Sequence, residues 1–455
     1  MHSDRKSLTE GPVWSTLLLF AFPIFLSNVF QQFYHAFDSW TVGKFIGDTA
    51  LAAVSSSGSL IHMFVGFFNG VAMGAGVIIA KFFGAQDYKN LRIAIHTDVA
   101  FGLVAGILLT VTGVAFTPTI LQWMGTPADV LPESIIYFRY YFCGAIFTVL
   151  YNIFVGILRA VGDSKHPLYY LIFATIVNIV LDVLLVAVFK LGVGAAALAT
   201  TLSQGVSVIL CFIRLVRIKE PYKLEVRAIR FDFSCLKSII RFGLPSGIQN
   251  SVIGFANLVV QTNINSFGSA AMAGCGAHAK IEGFAFLPIT CFSMALATFV
   301  GQNLGAHEYN RVKKGVGFGI ACSCIMAELI GVFSYIFAPQ LIAVFNDTPD
   351  VIYFGSQHTR TICLFYFLLA FSHCIAGILR GAGKSTVPMI TMLATWCLLR
   401  VTYITVAVPI FNELTTVSKA YPLTWFCSSL IFLIYFLKVD WIHNFDRLEA
   451  QGKIA

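Results

Sequence analysis

The sequence predicts an all-α polytopic membrane protein with twelve transmembrane helices in two six-helix lobes. Three observations lead to this fold class. Hydrophobic residues make up 57% of the chain and charged residues only 11%, well below the roughly 25% charged residues of an ordinary soluble domain. Twelve apolar stretches are each long enough for the ~20 residues that a membrane-spanning helix needs. The two halves of the chain also share a sequence repeat.

The apolar stretches define both the predicted spans and the divisions of the chain. The first six spans form an N-lobe (1–217), and the next six form a C-lobe (238–440). Between them, the segment 218–237 contains Pro221 and mixed charge and is predicted to be a cytoplasmic linker, while 441–455 forms a cytoplasmic C-tail. The predicted spans are 15–42, 50–81, 92–116, 132–159, 167–189, 194–217, 238–266, 270–302, 314–338, 352–380, 386–411 and 419–440.

An internal repeat supports the division into two lobes. Residues 377–380 (Gly-Ile-Leu-Arg) repeat residues 156–159, Arg360 repeats Arg139, and Pro245 repeats Pro23. Because six is an even number, both copies enter the membrane from the same side and are related by an axis along the membrane normal. This architecture is common among transporters and rare among membrane enzymes.

The distribution of basic residues predicts the orientation in the membrane. The outer loops hold only Lys44, Lys190 and Lys419, whereas most of the 30 Lys and Arg residues lie in the inner loops and tails. This bias predicts a multi-pass protein of the cell membrane with both termini in the cytoplasm. We interpret the net charge of +8 as a consequence of topology and of lipid headgroups, and not as a sign of nucleic-acid binding.

A polar stripe on the first span contains the first candidate site residue. The stripe recurs at steps of three and four, so its members share one helical face; they are Asn28, Gln31, Gln32, His35, Asp38 and Ser39. An ionised carboxylate near the bilayer centre costs about 2.5 kcal/mol or more, so Asp38 predicts a functional site. Gln31, Gln32 and His35 are candidates for a substrate cavity. Pro23, in the same span, predicts a helix kink.

The fifth span contains a second acid. Asn178 and Asp182 lie one helical turn apart and therefore on one face. The second half has Val260, Leu399 and Tyr403 in place of Asp38, Asn178 and Asp182. This asymmetry favours a task assigned to one lobe over interhelical bonding that both lobes would need.

Further polar candidates near these acids are Tyr137, Asn152 and Thr200. Carboxylate, amide and hydroxyl oxygens suit an alkali cation such as Na⁺. A buried pair of Asp residues could equally take up a proton. The residues therefore leave both H⁺ and Na⁺ open as the bound ion at Asp38, Asn178 and Asp182.

The second half has its own charged residues within predicted spans. Glu282 lies on the eighth span and Arg400 on the eleventh. Glu282 could attract a cationic substrate, or Arg400 or Lys280 could neutralise it in a structural pair. Both alternatives stay open, and Glu282 and Arg400 are therefore candidates for the substrate cavity.

With these residues in view, the chain resembles the multidrug and toxic compound extrusion (MATE) family over nearly its whole length. The resemblance rests on the two sets of six helices, the segment 38–43 (Asp-Ser-Trp-Thr-Val-Gly), the Gly-Ala pairs at 84–85 and 305–306, and the doubled Gly-Ile-Leu-Arg turn. The acids and Asn178 resemble the N-lobe cation site of the DNA-damage-inducible F (DinF)-like branch, with Tyr137, Asn152 and Thr200 at its accompanying positions. Spans seven and ten contain no Asp or Glu, unlike the NorM-like branch.

The resemblance implies a V-shaped exporter that exchanges H⁺ or Na⁺ for amphipathic, often cationic compounds. We therefore expect a secondary multidrug efflux antiporter that works as a monomer in the lipid bilayer and uses no cofactor besides its coupling ion. The alternative is a flippase for a lipid-linked precursor, because related two-lobed exporters move such lipids. No nucleophile, metal-binding motif or acid/base set at recognisable spacing indicates an enzyme.

Overall fold

The computed structural model is α-helical throughout the residues it describes, which are 7–46, 48–123 and 130–452; within these, the side chains of His35, Ser39, residues 48–63 and Phe255 lie outside the description. The helices are α1 Val13–Phe45, α2 Asp48–Gly84, α3 Tyr88–Trp123, α4 Leu131–Cys143, α5 Ala145–Ala160, α6 Lys165–Asp182, α7 Val193–Arg217, α8 Phe233–Asn265, α9 Ser269–Gly305, α10 Tyr309–Ile336, α11 Ala338–Ala343, α12 Pro349–Ile362, α13 Tyr366–Gly381, α14 Thr386–Met392, α15 Arg400–Phe411, α16 Leu414–Lys438 and α17 Asn444–Ala450.

Irregular helical turns join several of these elements. Two segments are π-helical, Val183–Val188 after α6 and Leu393–Leu399 before α15, and two are short 3₁₀ turns, Val226–Ala228 and Cys363–Phe365. In the described part of the chain, ten spans are long and apolar enough to cross a membrane, and the α4–α5 pair, bent by 45°, makes an eleventh.

Helix α8 completes the predicted set of twelve. It is less apolar than the other spans because it contains several amide side chains, including Gln249, Gln261 and Asn263. Each predicted span thus coincides with one helix or with a bent or joined pair. The predicted all-α, twelve-span, multi-pass fold is confirmed.

Two compact units divide the chain. Unit 1 contains Phe22–Gly247, and unit 2 contains Leu8–Ala21 together with Ile248–Ala450. The divisions fall inside α1 and α8, next to Pro23 and close to Pro245. These bounds differ from the predicted lobes of 1–217 and 238–440, because the first part of α1 belongs to unit 2 and the first part of α8 belongs to unit 1.

In unit 1, glycines allow α2 and α8 to touch along their backbones. A Cβ atom at Gly74 would lie 2.2 Å from the backbone nitrogen of Gly243, and one at Gly70 would lie 2.3 Å from that of Gly247. Small residues spaced four apart permit such an approach between membrane helices. The first part of α8 is therefore fixed to α2 through main-chain contact.

The linker packs against the helices of unit 1. It is shorter than the predicted 218–237, because α8 already begins at Phe233. Leu224 is fully buried, the Glu225 backbone N–H donates to His96 Nε2 at 3.0 Å, and the Glu225 carboxylate pairs with Arg92 at 2.7 Å.

In unit 2, hydrogen bonds hold the segment before α1 and the C-tail. Arg311 donates to the carbonyls of Leu8, Glu10 and Gly11. The predicted C-tail contains α17, where the Asn444 amide donates to the Ala382 carbonyl at 2.8 Å.

Candidate cation-coupling site

Four helices of unit 1 bring the predicted acids and their neighbours together. Asp38 lies on α1, Asn178 and Asp182 lie on the last turns of α6, Tyr137 lies on α4, and Thr200 lies on α7. The carboxyl groups of Asp38 and Asp182 are close enough to interact electrostatically, and both interact with the Tyr137 hydroxyl. The structure therefore brings these predicted residues of four helices into one cluster.

The cluster is buried. Asp38 is 6% exposed, Asn178 and Asp182 are fully enclosed, Tyr137 is 4% exposed and Thr200 is 9% exposed. Apolar side chains of α1, α4 and α7 surround it, among them Val42, Phe138 and Val193. Such a shell lowers the local dielectric and strengthens every electrostatic interaction within it.

Among the described residues, most polar atoms of the cluster have no hydrogen-bond partner. This holds for Oδ1 of Asp38, for both side-chain polar atoms of Asn178, for both carboxylate oxygens of Asp182 and for the Thr200 hydroxyl. A buried polar atom without a partner costs about 1–3 kcal/mol, and more when it is charged. The cluster therefore has unused capacity for hydrogen bonds or for a bound ion.

No basic side chain neutralises the two acids in the described part of the chain. The Arg139 side chain on α4 is exposed, and Lys44 on α1 stacks over the Trp40 ring instead. Two carboxyl groups near each other in a dry site cannot both stay ionised without a compensating positive charge. The described side chains therefore supply no compensating positive charge to this pair of acids.

The helix that contains both Asn178 and Asp182 changes geometry at this point. A π-helical segment begins at Val183, directly after Asp182. Such segments occur often at functional sites, because they interrupt the regular i to i−4 hydrogen bonds of an α-helix. The backbone next to Asp182 is thus a natural place for a local rearrangement.

Three residues of the cluster were not among the predicted site residues. Tyr34 on α1 is 5% exposed, and its hydroxyl contacts Ser203 Oγ at 3.3 Å. The Thr41 hydroxyl is buried without a partner. Tyr34 lies one helical turn before Asp38, so the spacing rule that linked Asn178 to Asp182 could have identified it.

Other predicted residues lie apart from the cluster. Asn152 on α5 donates to the Thr148 carbonyl of its own helix at 2.9 Å, and in the described residues it makes no hydrogen bond to either acid. Gln31 and Gln32 are exposed, so the polar stripe of α1 does not share one environment. The side chain of His35 lies outside the described residues. Pro23 lies within an unbroken α1, where Ser27 Oγ donates to its carbonyl at 2.8 Å.

The charged residues of unit 2 are arranged differently. Arg400 is 3% exposed, donates to Thr424 Oγ1 at 2.9 Å, and lies 4.5 Å from the centre of the Tyr421 ring. Glu282 interacts with Arg400 electrostatically, but within the described residues the two form no ion pair. Lys280 is exposed and lies over the Phe345 ring, so it does not neutralise Glu282.

The unit 1 site suits a small monovalent cation or a proton. It offers carboxylate, amide and hydroxyl oxygens, which are ligands for hard cations. The described residues contain no group of three or more His, Cys, Asp or Glu side chains that could hold a metal ion. A site with two acids and neutral oxygens can accept a single positive charge and release it again.

Comparison with known proteins identifies the family. The MatE family model matches residues 23–184 and again residues 245–405, so it covers more than half of the chain and recognises both copies of the repeat. The protein is a membrane transporter and belongs to the MatE family.

Individual relatives agree with this assignment. The chain is 29% identical over 402 residues to the probable multidrug resistance protein YoeA of Bacillus subtilis, covering 87% of this chain and 86% of that protein. It is 26% identical to the probable multidrug resistance protein NorM of Thermotoga maritima, covering 84% of this chain and 82% of that one.

A solved structure shares the fold over the full length. It is described as the outward-facing conformation of a multidrug resistance MATE family transporter of the MOP superfamily, and it matches with a TM-score of 0.88 at 21% identity, covering 99% of this chain and 100% of that one. The MATE-type fold is therefore confirmed.

Proposed function

We propose that this protein is a secondary active multidrug efflux antiporter that exports amphipathic, often cationic compounds in exchange for H⁺ or Na⁺. The relatives named as multidrug resistance proteins support the export of such compounds. The coupling ion binds at Asp38, Asn178 and Asp182, with Tyr137 and Thr200 beside them. This arrangement favours the DinF-like branch of the family.

One observation supports this assignment above all others. The carboxylates of Asp38 and Asp182 and the amide of Asn178 are enclosed together, with unpartnered polar atoms and no basic neighbour in the part of the chain that the structure describes. A purely structural cluster would be expected to satisfy its own hydrogen bonds. The unfilled capacity matches a site that alternately binds and releases a cation.

Coupling requires only that ion and substrate bias the same conformational equilibrium. An ion can shift an equilibrium by no more than its differential affinity for the two states. Substrate and ion need not touch, because each can favour a different state of the transporter. The protonated or Na⁺-bound cluster would favour one state, and loss of the ion would favour the other.

The test is efflux of ethidium from proteoliposomes that contain the purified full-length protein. An imposed Na⁺ gradient and an imposed pH gradient are applied separately to wild type, Asp38→Asn and Asn178→Leu. We expect one gradient to drive efflux in wild type and both variants to lose about tenfold or more, since coupling between two sites is typically worth about 5- to 150-fold.

The matched control is Asp347→Asn, which removes an exposed carboxylate outside the helices and should leave gradient-driven efflux unchanged. Efflux that stays at the wild-type rate in Asp38→Asn would remove the coupling role. If Na⁺ is the coupling ion, added Na⁺ should also raise the thermal unfolding midpoint of wild type, because a bound ligand stabilises the folded state, and this rise should vanish in Asp38→Asn.

The alternative function, a flippase for a lipid-linked precursor, would use a strongly cationic cavity. Among the basic residues within the predicted spans, Arg139, Lys280 and Arg360 are exposed, and Arg400 is held by Thr424. This arrangement favours export of cations over transfer of a pyrophosphate. If neither gradient moves a cationic dye, a lipid-linked substrate is the next to test.

We also propose that the protein lies in the cell membrane with both termini in the cytoplasm. The linker is paired with Arg92 through Glu225, and Arg311 holds the segment that precedes α1 through the Leu8, Glu10 and Gly11 carbonyls. Basic residues concentrate on the cytoplasmic side of membrane proteins. We expect the protein to work as a monomer.

A further inference from the structure

A cavity outside the coupling site lies in unit 2, at the C-terminal end of α10, which is the end far from Arg311. It has a volume of about 460 Å³ and is formed where α10 and α11 meet α12; Tyr335, Tyr353, Ser356, Gln357 and Arg360 are among the residues that line it. None of these residues belongs to the proposed coupling site. The cavity combines an aromatic rim with polar side chains and one positive charge.

Arg360 is fixed in this cavity without a carboxylate partner. Its Nε donates to the Tyr335 carbonyl at 3.3 Å, and its guanidinium lies 5.7 Å from the centre of the Tyr335 ring. In the described residues Arg360 has no ion pair, and Glu328, an acid on α10, accepts a hydrogen bond from the Phe367 backbone instead. The remaining guanidinium N–H groups are available for an anion, and their planar fork fits a phosphate.

Ser356 adds a second donor to the same cavity. It is 6% exposed, and among the described residues its hydroxyl has no hydrogen-bond partner. Gln357, the next residue of α12, also lines the cavity. A hydroxyl, an amide and a guanidinium together can satisfy several oxygen atoms of one phosphate group, since each phosphate oxygen accepts hydrogen bonds.

The surroundings point to a lipid as the source of the phosphate. The neighbouring residues on α10 are exposed and apolar, with Leu329 at 65%, Phe333 at 52% and Ile336 at 57%. Tyr335 is separated from Arg311 by about 36 Å of helix, which places it near the far boundary of a hydrocarbon core of roughly 30 Å. Tyr side chains are enriched at that boundary.

We propose that this cavity binds the phosphate of an anionic phospholipid in the leaflet at this end of unit 2. Arg360 pairs with the phosphate, Ser356 and Gln357 donate hydrogen bonds to it, and Tyr335 and Tyr353 pack beside the glycerol and the upper acyl chain. The inference is independent of the proposed antiport, because it uses none of the coupling residues.

Unit 1 provides an internal comparison for this site. Arg139 is the repeat counterpart of Arg360 and is also exposed, but Ile135 and Ile136 stand where unit 2 has Ser356 and Gln357. The positive charge is therefore repeated, while the hydroxyl and the amide are not. A charge alone would act equally in both units, whereas among the described residues the set of guanidinium, hydroxyl and amide occurs in unit 2 and not at the repeat-equivalent positions of unit 1.

The test is photo-crosslinking with phosphatidylglycerol that has a photoreactive group near its headgroup. The full-length protein is reconstituted into phosphatidylcholine vesicles with a small fraction of this probe, and labelled peptides are mapped by mass spectrometry. We expect labelling of the peptide around 352–361 in wild type and about fivefold less in Arg360→Gln, since one basic side chain near a membrane surface contributes a factor of this size. Ser356→Ala should lower labelling to a smaller extent.

Two matched variants separate the site from its alternatives. Arg139→Gln should leave labelling at 352–361 unchanged, and Arg360→Lys, which keeps the charge but loses the planar fork, should lower labelling, though less than Arg360→Gln. Equal losses from Arg139→Gln and Arg360→Gln would reduce the effect to general surface charge and overturn the proposal. Equal labelling by a phosphatidylcholine probe would overturn it as well, and competition by inorganic phosphate would assign the site to a free anion instead of a lipid.

Discussion

The two units have the same set of helices but place different polar residues at repeat-equivalent positions. In unit 1, Asp182 and Thr200 keep buried polar atoms that have no partner among the described residues. In unit 2, Tyr403 and Tyr421 stand at the repeat-equivalent positions, and the Tyr421 ring packs against Arg400, which donates to Thr424. Unit 1 retains unsatisfied polarity at a cost in stability, which is the pattern expected of a functional site. Unit 2 satisfies the charge of Arg400 through Thr424 and Tyr421, which is the pattern expected of a structural group.

The contacts between helices also differ between the two units. Substitution at these contacts gives the largest predicted effect on stability. In unit 1, α2 meets α8 through glycines. In unit 2, Cys291 replaces Gly70 in the repeat, and its thiol donates to the Ala21 carbonyl of α1 at 2.9 Å. Unit 1 therefore has main-chain contact where unit 2 has room for side chains.

Gly74→Ala should destabilise the protein more than any other substitution discussed for these contacts. The added Cβ would lie 2.2 Å from the Gly243 backbone nitrogen, and backbone cannot move aside as a flexible side chain can. We expect the free energy of unfolding to fall by about 3 kcal/mol, at the upper end of the range for overpacked cores. Denaturant titration of the purified protein in detergent micelles would measure this.

The control for that substitution is Gly317→Ala on α10. Its Cβ would meet no atom within 4 Å, so we expect no loss and a gain of at most about 1 kcal/mol from helix propensity. Equal stabilities of Gly74→Ala and Gly317→Ala would contradict the main-chain contact between α2 and α8.

Arg400→Met tests the structural role of charge in unit 2. The substitution removes two hydrogen bonds to Thr424 and the contact with the Tyr421 ring. We expect a loss of about 2 kcal/mol in the free energy of unfolding, because hydrogen bonds to charged groups contribute about 1.5–3 kcal/mol. The choice between Na⁺ and H⁺ as the driving gradient should not change in the efflux assay.

Glu282→Gln is the companion variant. It removes the carboxylate that interacts with Arg400 and keeps the shape of the Glu282 side chain. In the described residues Glu282 makes no ion pair, so its loss should cost less than that of Arg400. A larger loss from Glu282→Gln, or a changed coupling ion in Arg400→Met, would move unit 2 from a structural to a functional role.

The fold and the main site residues could be predicted from sequence for physical reasons. Lipid excludes charge, so the apolar stretches alone fix the number of spans. The same exclusion makes Asp38 and Asp182 conspicuous, and helical spacing assigns Asn178 to the face of Asp182. The structure brings these residues together as predicted.

The remaining parts of the site depend on packing that a single sequence does not contain. Ser203 belongs to the cluster through a contact between α7 and α1, and Ser is too common in spans to stand out. Gln31 and Gln32 share the face of Asp38 but are exposed, since the same face of a long helix meets different neighbours along its length. Division of α1 and α8 between units likewise arises from tertiary contacts, which sequence hydropathy does not report.

The smallest predicted effect concerns the segments that pack at the ends of each unit. In unit 2, the Asn444 amide donates to the Ala382 carbonyl at 2.8 Å, and the Tyr309 hydroxyl donates to Asp446 at 2.9 Å. In unit 1, the linker is tied by the ion pair between Arg92 and Glu225, whose side chains are 48% and 47% exposed. A partly buried hydrogen bond of this kind contributes about 1 kcal/mol, whereas an exposed ion pair contributes about 0–1 kcal/mol.

Asn444→Ala should therefore loosen the C-tail more than Arg92→Gln loosens the linker. Hydrogen–deuterium exchange of the full-length protein in micelles would measure both segments at once. We expect exchange in 440–450 to speed up about fivefold in Asn444→Ala, because 1 kcal/mol of local stability corresponds to that factor, and exchange in 218–232 to change less than about twofold in Arg92→Gln. A larger effect of Arg92→Gln on the linker than of Asn444→Ala on the C-tail would contradict this ranking. It would mean that the exposed ion pair holds its segment more firmly than the partly buried amide does.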